Sequence, residues 1–145
     1  MFERILLSVD GSTDSDKAGR ATRDLARMHG SEVFVVHGRD LAIVGPPAPT
    51  SPVPPRQAGD DDEEEARLVV DMAVAELRSG EVTASGRVLP SRGAVAPQIL
   101  EAARSTRADL IVLGSRGMSR LKEIVIGSAS HGIIRSADRP VLLVR

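Results

Sequence analysis

The chain has 145 residues, 19 basic and 20 acidic side chains, and no cysteine. That is long enough for one domain with a good core, and too evenly charged for a general nucleic-acid binder; without thiols there can be no disulfide, thiolate metal site or cysteine nucleophile. No apolar run approaches the ~18 residues that suggest a membrane-spanning helix, and the start enters a strand pattern without signal-peptide character, so no membrane partner and a soluble, cytoplasmic protein are expected.

The aromatic residues are Phe2 and Phe34, so the core must be aliphatic and alanine-rich. Stacking of bases on aromatic rings, the usual platform for single strands, is not on offer, and no nucleic-acid partner is expected. Arg4-Ile-Leu-Leu-Ser-Val9 reads as a short strand buried on both faces. The cluster Asp10-Gly-Ser-Thr-Asp-Ser15 comes next, a turn with several candidate helix caps. A helix is predicted over 13–29, with Ala18, Ala21, Leu25 and Met28 as its inner stripe and Gly30 as its stop. Glu32–His37 reads as a second strand, and strand–helix–strand over so short a span makes the two strands parallel.

From Val44 the character changes. Pro46, Pro47, Pro49, Pro52, Pro54 and Pro55 crowd one stretch, and the acidic run Asp60–Glu65 comes after it. Proline removes backbone donors and blocks regular structure, so 44–62 is expected to be a flexible loop inside a single domain spanning 1–145; a proline-rich docking segment is the functional alternative. Acidic residues suit a helix N-terminus. A second helix is predicted over 62–79, facing inward through Ala66, Val69, Val70, Ala73, Val74 and Leu77, and ending at Gly80. Glu81–Leu89 reads as a strand whose mixed polarity suggests a sheet edge. Helix 95–105, with Pro97 in its first turn and Ile99, Leu100 and Ala103 inward, leads to strand 109–113. A last helix over 128–136, with Ile133 and Ile134 inward, and strand 141–144 complete an alternating α/β pattern, the mark of a doubly wound domain.

The chemistry concentrates in Gly114–Ser130, which leaves the fourth strand with the spacing Gly114-x2-Gly117-x9-Gly127-Ser128. Glycines there let the backbone turn and approach a ligand, and free N–H groups suit phosphate oxygens. Arg116, Arg120 and Lys122 add positive charge; Ser115, Ser119, Ser128 and Ser130 add hydroxyls. It is neither a P-loop nor a G-x-G-x-x-G fingerprint. A surface loop rich in glycine only because it turns is the plainer reading. Asp10, at the end of the first strand, either accepts ribose hydroxyls or caps a helix. His29, His37 and His131 lack metal-ligand spacing; His131 lies where a general base beside phosphates would lie.

The loop spacing, the opening Ile5-Leu-Leu-Ser-Val-Asp-Gly-Ser12 and the closing Arg139-Pro-Val-Leu-Leu-Val144 together resemble the universal stress protein family, whose nucleotide loop runs G-x2-G-x9-G-(S/T). The resemblance implies a five-stranded parallel sheet in the order 3-2-1-4-5, which puts strands 1 and 4 side by side at the switch point where ligands bind in open α/β sheets. It implies that Ser8 and Val9 line the adenine side and Asp10 meets the ribose. It assigns the backbone adenine contact after strand 2 to Gly38, where the family usually has a small apolar residue. It implies that Leu113 belongs to the nucleotide site, that Gly114, Arg116 and Gly117 meet ribose and phosphates, and that Gly127, Ser128, Ala129 and Ser130 hold the outer phosphates.

The implied ligand is ATP or AMP, with Mg²⁺ carried by the phosphates, since hard cations prefer oxygen ligands. The implied function is a regulatory nucleotide-binding module of the stress response and not an enzyme. A nucleotide-free interaction module of the same fold is one alternative. An ATP-cleaving enzyme is a remote one, because Asp10–Ser15 only faintly resembles the S-G-G-x-D-S loop of ATP pyrophosphatases. A homodimer is expected through the edge strand Val141, Leu142, Leu143 and Val144, whose unpaired backbone groups a second copy would satisfy.

Overall fold

The computed structural model describes residues 1–38, 60–90, 93–115 and 128–145, and of residues 60–62 and 128 the backbone alone. Of the segment 44–62, expected to be a flexible loop, residues 44–59 lie outside the described residues. In chain order the elements are β1 (Arg4–Ser8), α1 (Thr13–His29), β2 (Glu32–His37), α2 (Asp60–Ser79), β3 (Ala84–Val88), α3 (Val95–Ser105), β4 (Leu110–Gly114), α4 (Ser128–Ser136) and β5 (Val141–Val144). The strands form one sheet in the order β3-β2-β1-β4-β5, all pairings parallel, as the resemblance implies. Leu6 stands opposite Phe34 on one side and Ile111 on the other, which fixes the register of the central strands.

Strand alternation divides the core into two layers. Ile5, Leu7, Val33, Val35, Leu110 and Val112 face one side, where α1 and α2 bring Ala18, Ala26, Val70, Val74 and Leu77. Leu6, Val36, Ile111 and Leu113 face the other, against Ile99, Leu100, Ala103 and Ile133 of α3 and α4. Central strands buried on both faces explain why their sequences read as continuous apolar runs.

Helix positions differ from the predicted stripes in two places. Met28 is 78% exposed. The buried line of α1 runs through Ser15, Ala18, Thr22 and Ala26; the position that continues it is His29, whose ring meets Phe2 edge-on at 5.9 Å. Ile134 is 43% exposed, while Ile133 is fully buried. Successive helical residues turn by about 100°, so a narrow contact face takes one of the pair.

Boundaries shift where the backbone decides. α2 starts at Asp60, inside the run expected to belong to the loop. β3 starts at Ala84, later than predicted. Residues before it close α2: Glu81 adopts φ +64°, and the N–H groups of Gly80 and Val82 both donate to Leu77 O, at 3.0 and 3.1 Å.

At the sheet's N-terminal end Asp109 joins β1 to β4, its carboxylate accepting from the Glu3 and Arg4 N–H groups at 2.8 and 3.2 Å. The opposite end is built differently.

Candidate functional site

β1 runs out at Ser8, and the turn beyond it is held by short polar contacts. Val9 N–H donates to Val36 O at 2.9 Å. Val9 O accepts from His37 Nδ1 at 2.6 Å. Asp10 N–H donates to Ser15 Oγ at 3.1 Å, and one carboxylate oxygen of Asp10 accepts from Ser12 N–H at 2.9 Å. Gly11, at φ +78°, makes the turn between them. The cap of α1 is Ser12, whose hydroxyl accepts from Ser15 N–H at 3.2 Å. Asp10 is therefore not the cap. Its carboxylate stiffens its own turn with one oxygen, and the other takes no hydrogen bond among the described residues.

β4 ends beside this turn. A Cβ on Gly114 would stand 2.8 Å from Asp14 C and 2.9 Å from Ser15 N. The first turn of α1 thus lies directly on the end of β4, and only glycine allows it. Ser115 then makes two ties: its N–H donates to Val144 O at 2.8 Å, and its hydroxyl donates to Asp14 Oδ2 at 3.0 Å. Lys17 stands 3.6 Å from the other Asp14 oxygen, which balances that carboxylate's charge. From α4, the Ser130 hydroxyl returns to Gly114 O at 3.4 Å.

Ser8, Val9, Asp10, Leu113 and Gly114 therefore stand at the C-terminal ends of the adjacent strands β1 and β4, with Ser130 reaching the same end from α4. Gly38 comes directly after β2, one strand further along, and Ser128 and Ala129 open α4. Arg116, Gly117 and Gly127 lie outside the described residues, as do Ser119, Arg120 and Lys122.

Gly38 has a packing reason of its own. A Cβ there would come within 2.4 Å of Val95 Cγ1, at the start of α3. Val95 occupies the space that a side chain at position 38 would need, so the departure from the family pattern is compensated by a residue from another element. Sequence reasoning missed Asp14, His37 and Val95 as parts of this end. Asp14 and Ser115 are 101 positions apart, and no local pattern links them.

Among the described residues no group of three or more His, Asp or Glu side chains is gathered as a metal site. Asp14 is engaged by Ser115 and Lys17, and Asp10 by its own turn. What this end offers chemically, among the described residues, is a floor of backbone polar groups, short hydroxyls and one partly engaged carboxylate.

Over residues 1–145 the chain matches the model of the universal stress protein family. It is 31% identical to the stress response protein NhaX of Bacillus subtilis, over 99% of this chain and 98% of that one. Among solved structures, one from the universal stress protein family of Burkholderia pseudomallei superposes with a TM-score of 0.75 at 27% identity, covering 99% of this chain and 96% of that chain. A universal stress protein of Archaeoglobus fulgidus, solved in complex with dAMP, has the same fold, with a TM-score of 0.72 at 22% identity over 100% of this chain and 98% of that chain.

Proposed function

The chain belongs to the universal stress protein family, and on that footing we propose that it is an adenine-nucleotide-binding regulatory module, with the nucleotide seated across the C-terminal ends of β1 and β4. The observation that carries the reading is the convergence of the Asp10 turn and the Gly114 exit, the start of the glycine-serine loop, at the switch point of the sheet. Ligands in open α/β sheets bind at such points. A protein of this fold holds dAMP, so the architecture has room for an adenine nucleotide.

In this reading Ser8, Val9 and the Gly38 backbone meet the adenine, and Asp10 accepts ribose hydroxyls. Gly114, Arg116 and Gly117 meet ribose and phosphates; Gly127, Ser128, Ala129 and Ser130 hold the outer phosphates with N–H and hydroxyl donors. The ligand is ATP or AMP, and Mg²⁺ rides on the phosphates. The module senses or carries the nucleotide without efficient turnover, because phosphoryl transfer also needs a group that positions the nucleophile. The protein works in the cytoplasm as a homodimer paired through β5.

Calorimetry with Mg-ATP and with AMP tests the reading. Micromolar binding by the wild type, weakened at least tenfold by Gly117→Val and by Asp10→Ala (about 1.4 kcal/mol or more), is the expected result. A folded wild type that binds neither nucleotide overturns it.

A further inference from the structure

We propose that His37 is a positioning residue for the turn after β1, a role that rests on the nucleotide reading for its consequence but not for its geometry. In a parallel ladder, after Val9 N–H bonds Val36 O, the next bond would run from Gly38 N–H to Val9 O. Among the described residues that bond is not made; the strands part here, and the ring of His37 supplies the donor instead, at 2.6 Å. Val9 is thereby held at both polar groups, beyond the last ladder residue of β1.

The partner fixes the tautomer. A carbonyl oxygen only accepts, so Nδ1 carries the proton and the neutral ring leaves Nε2 bare. That is the less common tautomer of a histidine in water, so it is a signature of the contact. The contact lets β1 and β2 diverge without leaving Val9 O orphaned, and it sets the position from which Asp10 N–H reaches Ser15 Oγ and the Asp10 carboxylate reaches Ser12 N–H. A ligand that reads Val9 and Asp10 meets a turn whose place His37 has set.

The test uses the full chain with His37→Leu, which removes the donor, and His37→Asn, whose side-chain amide stands near Nδ1 and restores one. Both are compared with the wild type for nucleotide affinity, for amide exchange, and by nitrogen NMR of the wild-type ring. Expected are a loss of about tenfold in Mg-ATP affinity for His37→Leu and recovery to within about threefold for His37→Asn. Faster exchange at Asp10 and Ser12 in the leucine variant and an unprotonated Nε2 in the neutral wild-type ring are also expected. Leucine binding as the wild type does, or asparagine falling as far as leucine, overturns the proposal. If the wild type binds no nucleotide, the nucleotide reading fails separately. The ring spectrum and the amide exchange then decide the clamp: a neutral ring protonated at Nε2, or unchanged exchange at Asp10 and Ser12, overturns it.

Discussion

At Gly114 a hydrogen in place of a side chain lets the first turn of α1 rest on the end of β4, with Asp14 C 2.8 Å from where a Cβ would be. The atoms in the way are backbone, which cannot rotate aside as the tip of a side chain can. Gly114→Ala should therefore push α1 away or bend β4, at a cost of about 1–3 kcal/mol, read as a lowered urea midpoint with an unchanged slope. A midpoint equal to the wild type would show that the contact is looser than the geometry states. The same glycine opens the sequence spacing that resembles a nucleotide loop, so packing and ligand approach make one demand of one residue. The sequence shows where this glycine is. It does not show what presses on it, because Asp14 comes from the far end of the chain. The same holds for Val95 over Gly38 and for His37 under Val9, each a contact between elements that no periodicity encodes.

Among the elements, those with strong periodicity were legible to within a residue or so: α1, β2, α3, α4 and β5 stand where the apolar spacing and the turn residues put them. The misses have local causes. Glu81, in the left-handed region, extends the exit of α2 into what reads as strand, and Met28 and Ile134 lie just off faces too narrow to take them.

The link from α4 to β5 shows how an element is pinned. Arg139 donates to Ala103 O at 2.9 Å and also to Ala108 O, around the C-terminal end of α3, and to Asp138 at 2.7 Å. That last hydrogen bond is the main cause that holds the Asp138 carboxyl below its ordinary range, and the positive charges of Arg139 and Arg104 act the same way. A lowered folded-state value means the charged form is favoured by folding. The contribution is present above the unfolded aspartate value of about 3.9 and is lost as pH falls through the lowered one. Asp138→Asn should therefore lose stability relative to the wild type at pH 6, and the gap should close as acid protonates the wild-type carboxyl. Urea midpoints for both proteins between pH 6 and pH 2 check this, and a gap that does not narrow would contradict it.

Over the whole molecule the two ends and the two edges of the sheet are treated differently. The N-terminal end is tied shut by Asp109, while the C-terminal end carries the Asp10 turn and the Gly114 exit. At the β3 edge, the bonds of Val33 and Leu89 N–H to Thr83 O and His37 O set the ladder parity, so Ala84 O points outward; there Arg78 Nε donates to it at 2.9 Å. At the β5 edge, Pro140 O and Val144 O face β4, so Val141 and Leu143 turn their polar groups outward. An edge guarded by a charged side chain resists pairing, and an apolar edge that shows none among the described residues invites it. The homodimer proposed through β5 should appear in sedimentation velocity and weaken with Leu143→Pro, which removes an outward N–H. Leu143→Ala keeps that N–H and controls for lost packing. A wild type that sediments as a monomer at 100 micromolar would rule this dimer out.

The most direct test of a nucleotide site at this end of the sheet tracks backbone amides of the nitrogen-labelled protein during titration with Mg-ATP. Val9, Asp10, Gly38, Gly114, Ser115, Ala129 and Ser130 should shift together with one saturation curve, while Glu3, Arg4 and Asp109 at the opposite end of the sheet stay in place. No shifts in a folded protein, or shifts confined to α2 and β3, would contradict a nucleotide site at the junction of β1 and β4.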